Sequence, residues 1–282
     1  MMTTEKRIRA LEGFGYTDHE AAFLILAALH GGYFLRRQYS TFLGVTRGCP
    51  GDLLVRKILR RKHGKARPTI RKISICHLCS RPFYAAIGAS RDGCGKARPL
   101  FAIKPRLMAL DFVLANRDHR YLATEEEKVA YFNGNRGISI QALPVKIYRP
   151  PWTGLVVARH FADRFPIFLR QDQAASAPLV SFCYIDEGDI STPGFETYLK
   201  QYAGLFAALG QFEVIFVSTR TKHTREAAAA FNRLVGGAGR IENPSGEGRV
   251  NPFPAAESDE RGAGRIRPRL IFYPMNPTYD FL

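Results

Sequence analysis

The pattern of apolar residues changes once along this chain, at a proline-rich stretch, residues 144–151. Before this stretch, short apolar runs have helical spacing; after it, segments rich in Val, Ile and Phe alternate with helical segments. The chain has 282 residues, more than the roughly 100–200 of a typical single domain. We therefore expect two domains, residues 1–143 and 152–282, the second with a flexible loop at 236–266 that is rich in Gly, Pro and charge.

Three short helices and a β-like segment are predicted in the first domain. A capping box opens the first helix, at about residues 18–30. A second helix is predicted at 35–43, and a third from Asp52 to His63. The alternating run Thr69–Ile75 follows as a strand. This order predicts a winged helix-turn-helix in which a hairpin forms the wing.

The second half predicts a different architecture. Its strands and helices alternate, which is the order of an α/β domain. The sequence as a whole therefore predicts a two-domain protein of the α+β or α/β class, with an N-terminal winged helix-turn-helix and a small C-terminal α/β domain. The predicted strands are 155–158, 166–169, 179–185, 212–218 and 270–273, and the predicted helices are 193–209 and 224–235.

The net charge of +16 is confined to one part of the chain. Residues 1–150 hold 27 Lys and Arg against 11 Asp and Glu, whereas the remaining residues hold 14 of each kind. Residues 36–106 hold 18 basic side chains against only Asp52 and Asp92. Such a concentration is typical of a phosphate-binding surface, since charge that serves solubility is spread over the molecule.

The third predicted helix is amphipathic. At about 100° per residue, Leu54, Val55, Ile58 and Leu59 share one face, and the cations fall on the opposite face. A helix with a cationic face can lie in the major groove of DNA, and arginine suits bidentate contacts to phosphate or guanine. The predicted nucleic-acid-binding residues are Arg36, Arg37, Arg56, Lys57, Arg60, Arg61, Lys62, Lys65, Arg67, Arg71 and Lys72.

Double-stranded DNA is the favoured partner, and RNA remains an alternative because a basic surface does not distinguish the two. Aromatic residues are sparse among the cations between Arg56 and Lys72, which disfavours a platform for stacked single strands.

Cysteines suggest a second, less favoured chemistry in the first domain. The sequence Cys76-His77-Leu78-Cys79 has the two-residue gap of zinc ligands and redox cysteines, and Cys94 is a third thiol. No fourth ligand is placed as a paired knuckle. We therefore expect buried, reduced cysteines, with no bound metal or cofactor.

Carboxylates in the second domain raise the alternative of an enzyme. Asp186 and Glu187 follow a predicted strand, and with Asp163 they could hold Mg²⁺ or Mn²⁺, while Lys200 could stabilise charge at a scissile phosphate. This would make the chain a metal-dependent endonuclease. The lysine does not share the strand with the carboxylates, and Glu196 with Lys200 fits a helix-stabilising pair better. The favoured interpretation is a domain without catalysis.

Three segments of the second domain carry a family likeness: Ile185-Asp186-Glu187-Gly188, Lys200-Gln201-Tyr202 and Val214-Ile215-Phe216-Val217. With the two-domain order, they resemble replication-relaxation proteins of plasmids and mobile elements, which pair a winged helix with a nuclease-like α/β domain. The resemblance implies a degenerate restriction-endonuclease-like fold for the second domain. Of the arginine-rich motif expected after the last strand, only Arg220 and Arg225 are candidates.

The sequence thus predicts a DNA-binding protein of a bacterial mobile element or plasmid, acting in replication, mobilisation or transcription control. Its second domain would contact protein partners or more DNA. No apolar run approaches the roughly 18 residues needed to cross a bilayer, and the N-terminus lacks the apolar core of a signal peptide. We therefore expect a cytoplasmic protein without a membrane partner.

Overall fold

The computed structural model describes residues 2–69, 73–89, 97–149, 155–163, 165–171, 178–187, 193–220, 223–236, 241–242, 268–275 and 279. The chain is a mixed α+β protein that divides into two compact units. Unit 1 comprises Met1–Arg117 and Pro277–Leu282, and unit 2 comprises Asp118–Asn276. Among the described residues, no helix combines the length and apolar character that crossing a membrane requires.

Unit 1 contains six helices and a three-stranded antiparallel sheet among its described residues, with the strand order β1-β3-β2. Its elements are α1 (Thr4–Glu12), α2 (Asp18–Leu29), β1 (Tyr33–Leu35), α3 (Arg36–Leu43), α4 (Pro50–Arg60), β2 (Gly64–Pro68), β3 (Ser74–Leu78), α5 (Arg81–Ala86) and α6 (Leu100–Ala115).

Local signals in the sequence determine where these helices begin and end. The predicted capping box is present before α2: the side chain of Thr17 accepts from the backbone of Glu20, and the Glu20 carboxylate accepts from the backbone of Thr17. Gly44 ends α3 with a left-handed φ of 70°. The core of the unit lies between α2, α4 and the sheet, where Phe23 and Ile58 are fully buried.

The predicted strand at Thr69–Ile75 is wrong in its position. The two strands of the hairpin are β2 and β3, and the backbone NH of Thr69 donates to the carbonyl of Ile73 between them. Thr69 therefore lies beyond the end of β2, Ser74 and Ile75 begin β3, and residues 70–72 lie outside the described residues. Gly64 permits the earlier start of β2, since a Cβ there would stand 2.7 Å from the carbonyl oxygen of His77 on β3.

In its described residues, unit 2 has a six-stranded mixed sheet, a separate two-stranded sheet and the helices α7, α8 and α9. Its elements are β4 (Arg120–Tyr121), α7 (Glu125–Val129), a π-helical turn (Ala130–Asn135), a 3-10 turn (Ile140–Ala142), β5 (Val145–Tyr148), β6 (Val157–His160), β7 (Ile167–Arg170), β8 (Leu179–Asp186), α8 (Pro193–Leu209), β9 (Glu213–Ser218), α9 (Thr224–Val235), β10 (Ile241–Glu242) and β11 (Arg269–Pro274).

The larger sheet has the strand order β10-β11-β9-β8-β7-β4. Strands β8, β9, β11 and β10 run parallel, whereas β7 and β4 join antiparallel at one side. Parallel neighbours need a crossover, which α8 supplies between β8 and β9. Phe182 and Phe216 pack with the apolar faces of α8 and α9 in the core of the unit. The expected mixed class of helices and strands is confirmed, and strands alternate with helices from β8 to β10.

The boundary between the units lies at Arg117 and Asp118, not at the expected residues 144–151. Residues 118–143 belong to unit 2 because β4 pairs with β7 and because Phe132 and Leu143 are buried in the second core. The expected loop at 236–266 lies outside the described residues except for Gly236 and β10.

Candidate nucleic-acid interface

Helix α4 carries the densest part of the basic segment, and its position in unit 1 is closely determined. Pro50 occupies the first turn, where its missing NH costs no helical hydrogen bond. Leu54 and Ile58 are fully buried in the core. A Cβ added to Gly51 would stand 2.6 Å from the carbonyl oxygen of Arg36 on α3. The close approach of α3 and α4 therefore requires glycine at position 51.

Five cations lie on the outward side of α4, on the strand β2 that follows, and at the connection between the two. Arg56 and Arg60 are exposed and lie one helical turn apart. Lys65 and Arg67 are exposed on β2, an edge strand of its sheet. Across the described ranges, none of the five forms an ion pair. We call this set the exposed cations: Arg56, Arg60, Lys62, Lys65 and Arg67.

Lys62 connects the helix to the strand in a conformation that usually selects glycine. Its φ is +57°, in the left-handed region that costs an L-residue free energy. The NH of His63 donates to the carbonyl of Ile58 at 3.0 Å, which completes the C-terminal cap of α4. The chain therefore accepts backbone strain at an exposed position that bears a positive charge.

Two other cations, Lys57 on α4 and Arg61 at its C-cap, contact the start of α2 and the segment before it. The Nζ atom of Lys57 lies 2.5 Å from Oε2 of Glu20. The Nζ atom of Lys57 and Cζ of Arg61 lie 5.4 and 5.5 Å from the ring centroid of Tyr16. Arg61 also donates from Nη2 to the carbonyl of Gly15 at 3.4 Å. These contacts tie α4 to the rest of unit 1.

Tyr16 is itself held in place by a buried histidine. Its hydroxyl lies 2.9 Å from Nδ1 of His63, and both residues are buried. Burial raises the pKa of Tyr16, and burial together with the charge of Arg61 lowers the pKa of His63. The two groups therefore form a neutral hydrogen-bonded pair beneath the cations at neutral pH.

Arg36 and Arg37, both predicted to bind nucleic acid, have carboxylate partners inside unit 1. Arg36 pairs with Asp52. Arg37 donates to both carboxylate oxygens of Asp111 at 2.9 and 2.7 Å, and the hydroxyl of Tyr279 donates to the same carboxylate. We call the following set the tethered cations: Arg36, Arg37, Lys57 and Arg61.

The two remaining predicted contacts, Arg71 and Lys72, lie outside the described residues. Leu59 differs from its expected place on the packing face, since it is 41% exposed. The centre of the buried face lies between Leu54 and Ile58, and Leu59 is one step of about 100° beyond Ile58. Leu53 is 64% exposed and joins the outward face of α4.

The cysteine cluster is part of the packed sheet. Cys76 is buried on β3, and burial raises the pKa of its thiol to about 12. Cys79 is partly buried just after β3, and Cys94 lies outside the described residues. The ring of His77 stacks on that of Tyr33 at 4.2 Å between centroids. Cys76 is therefore a protonated thiol at neutral pH and a poor nucleophile.

The acidic pair of unit 2 lies at the carboxyl end of the parallel strand β8. Asp186 is buried, and its Oδ2 accepts from the hydroxyl of Ser218 on β9 at 2.7 Å. Glu187 follows the strand and is half-buried. Burial raises the pKa of Tyr184, and the charges of Asp186 and Glu187 raise it further.

Asp163 and Lys200 have other partners. Asp163 accepts from the hydroxyl of Tyr202 at 2.9 Å and from the backbone NH of Phe165 at 3.1 Å. Lys200 lies on the exposed side of α8, where its Nζ is 3.9 Å from Oε2 of Glu196. In the part of the chain that the structure describes, no group of three or more His, Cys, Asp or Glu residues is placed to hold a metal ion.

The sequence alone did not identify Tyr16, Asp111 and Tyr279, whose contacts distinguish the tethered cations from the exposed ones. Tyr16 has a weak signal, since an aromatic residue directly precedes the N-cap of α2. Asp111 and Tyr279 lie far from Arg37 in the chain, and no spacing rule relates them.

Comparisons with family models, with curated proteins and with solved structures find no match to this chain. Function is therefore inferred from the sequence and from the geometry of the two units.

Proposed function

We propose that unit 1 is a winged helix-turn-helix that binds double-stranded DNA, with α4 as the recognition helix and the β2–β3 hairpin as the wing. The element order α2, β1, α3, α4, β2, β3 and the sheet order β1-β3-β2 support this assignment. The observation that carries the proposal is the set of exposed cations, which stand without carboxylate partners across the described ranges.

The dimensions and chemistry of α4 suit the major groove of B-DNA. An α-helix with its side chains is about 10–12 Å across, and the groove is about 12 Å wide. Arg56 and Arg60 would reach guanine edges or phosphates from one face of the helix. Leu53, exposed on the same outward side, offers an apolar contact to a thymine methyl group.

The charge distribution also supports an anionic partner for unit 1. This unit holds 22 Lys and Arg against 8 Asp and Glu, whereas unit 2 holds 19 against 17. A surface of one sign would repel itself without a counter-charge, and DNA phosphates supply that counter-charge. We place the protein in plasmid or mobile-element biology on the resemblance stated above, with unit 2 contacting protein partners.

The proposal does not extend to DNA cleavage. The predicted ligands Asp186 and Asp163 accept hydrogen bonds from Ser218 and Tyr202 respectively. Lys200 is engaged with Glu196 on the exposed side of its helix. Because these side chains have other partners, the arrangement does not favour a role for them at a scissile phosphate.

A competition experiment at fixed salt tests the proposed partner. A labelled DNA duplex bound to the full chain would be challenged with unlabelled duplex DNA, single-stranded DNA and double-stranded RNA. We expect duplex DNA to compete best, and the affinity to fall with salt at a log–log slope of about −0.9 per phosphate contacted. A stronger competition by RNA, or no binding of duplex DNA at low salt, would contradict the proposal.

A further inference from the structure

Most of the two-stranded sheet of unit 2 is exposed: all of β5, and Val157 and Ala158 of β6. Strands β5 and β6 pair antiparallel, with Val145 opposite His160 and Tyr148 opposite Val157. In the described ranges, no third strand joins them. An isolated two-stranded hairpin is only marginally stable in water. We call residues 145–149 and 155–160 the exposed hairpin.

The exposed hairpin carries a concentration of apolar side chains. Six of the eleven large apolar side chains that are exposed in the described residues belong to it. Two of them, Leu155 and Val156, are more than 60% exposed. Since side chains alternate along a strand, Val145 and Ile147 lie on one face and Tyr148 and Val157 on the other, so both faces are apolar. Exposed apolar surface of this kind is typical of an interaction site. The six are Val145, Ile147, Tyr148, Leu155, Val156 and Val157.

The hairpin is positively charged as well as apolar. Lys146 and Arg149 are exposed, and the sequence contains no Asp or Glu from residue 128 to residue 162. The Nζ atom of Lys146 lies 5.6 Å from the ring centroid of Tyr148. This surface therefore presents Lys146 and Arg149 beside large apolar groups, which favours a partner that is anionic and also offers an apolar contact.

Glu125 anchors the base of the hairpin to the body of unit 2. Its Oε2 accepts from Nε of Arg159 at 2.7 Å, and its Oε1 accepts from the backbone NH of His160 at 2.7 Å. These two contacts fix the end of β6 at Arg159 and His160.

We propose that the exposed hairpin enters the minor groove of duplex DNA, with Lys146 and Arg149 at the phosphates and Ile147 and Val156 against the bases. Apolar side chains that enter the minor groove separate base steps and bend the duplex. Lysine and arginine beside them neutralise the phosphates on either side of the groove. This inference rests on the proposed function for its ligand, and it adds a second DNA contact in unit 2.

Two other occupants fit the observations less well. A lipid bilayer would have to cover the outer edges of a sheet to which no third strand is joined in the described ranges, and open sheet edges are costly in hydrocarbon. A second copy of the hairpin would bring Lys146 and Arg149 against like charges, without a carboxylate from residues 128–162 to compensate. In the minor groove, the open edges face water and phosphate oxygens.

Fluorescence energy transfer across a doubly end-labelled A·T-rich duplex of about 30 base pairs tests the proposal. The full chain would be compared with Ile147→Ser/Val156→Ser, with Lys146→Ala/Arg149→Ala, and with Val45→Ser/Phe101→Ser, which alters exposed apolar residues of unit 1. Circular dichroism and thermal unfolding would establish that each variant folds. The charge variant keeps the proposal testable if the apolar variant fails to fold.

We expect the unaltered chain to bend the duplex and the apolar variant to lose the bend, with an affinity about tenfold weaker. The charge variant should lose about 2 from the salt slope. The Val45→Ser/Phe101→Ser control should match the unaltered chain. Filling the minor groove with netropsin beforehand should remove the difference between the chain and its apolar variant.

Unchanged bending and affinity in both hairpin variants would overturn the inference. The proposed function would still stand in that case if Arg56→Ala/Arg60→Ala weakened DNA binding. Absence of DNA binding by the unaltered chain would overturn both. If the unaltered chain sediments as a dimer and only the hairpin variants are monomers, a second copy is the occupant and the inference is wrong. If the unaltered chain binds phosphatidylcholine–phosphatidylglycerol vesicles and only the hairpin variants fail to bind, a lipid surface is the occupant and the inference is wrong.

Discussion

The tethered and the exposed cations of unit 1 are alike in sequence and differ in what they touch. Each tethered cation contacts a carboxylate or a backbone carbonyl of its own unit. The exposed cations have no such partner across the described residues. Charge density along a chain therefore overstates the charge available to a ligand, because some of the cations hold the fold together.

The largest expected effect on stability comes from removing a tethered cation. Arg37→Met would leave the Asp111 carboxylate without its bidentate partner. We expect the free energy of unfolding to fall by about 1–3 kcal/mol, toward the lower value because solvent screens a partly exposed pair. Chemical denaturation monitored by far-UV circular dichroism would measure the change.

The matched control is Arg56→Met, which removes the same charge from the exposed set. It should leave the free energy of unfolding unchanged and lower the affinity for duplex DNA. Equal losses of stability in the two variants would break the distinction between the two sets.

Lys62→Gly has a smaller expected effect, and its two readouts move in opposite directions. Glycine relieves the left-handed backbone at φ +57°, so we expect the protein to gain about 0.5–1 kcal/mol of stability. The lost charge should weaken DNA binding and reduce the salt slope by about 0.9. Denaturation curves and salt titrations would be measured on the same preparations.

Lys62→Ala separates the two contributions of Lys62. It removes the charge and keeps a Cβ in the strained conformation, so it should lose the same affinity without the gain in stability. A stability gain in the alanine variant would show that repulsion among the cations, and not backbone strain, is what glycine relieves.

Helices with strong terminal signals could be predicted from the sequence. The predicted bounds 193–209 and 224–235 agree with α8 and α9, since Pro193 begins the former and Gly210 and Gly236 follow the two ends. The order of the helices α2, α3 and α4 also follows from capping residues and glycines.

Short strands and tertiary pairs could not be predicted in the same way. Strand β1 has three residues, all buried, so it shows no alternation of exposed and buried positions. The partners of Lys57 and Arg37 lie 37 and 74 residues away, at Glu20 and Asp111. Local patterns identify a basic face on α4, and only the packed fold decides which of its cations remain exposed.

The most direct measurement compares the salt dependence of DNA binding in two variants that each lose two charges from α4 or its C-cap. Arg56→Ala/Arg60→Ala alters exposed cations, and Lys57→Ala/Arg61→Ala alters tethered ones. We predict that the first lowers the log–log slope by about 2 and leaves stability unchanged, whereas the second keeps the slope and lowers the stability. Equal slopes in the two variants would contradict this account.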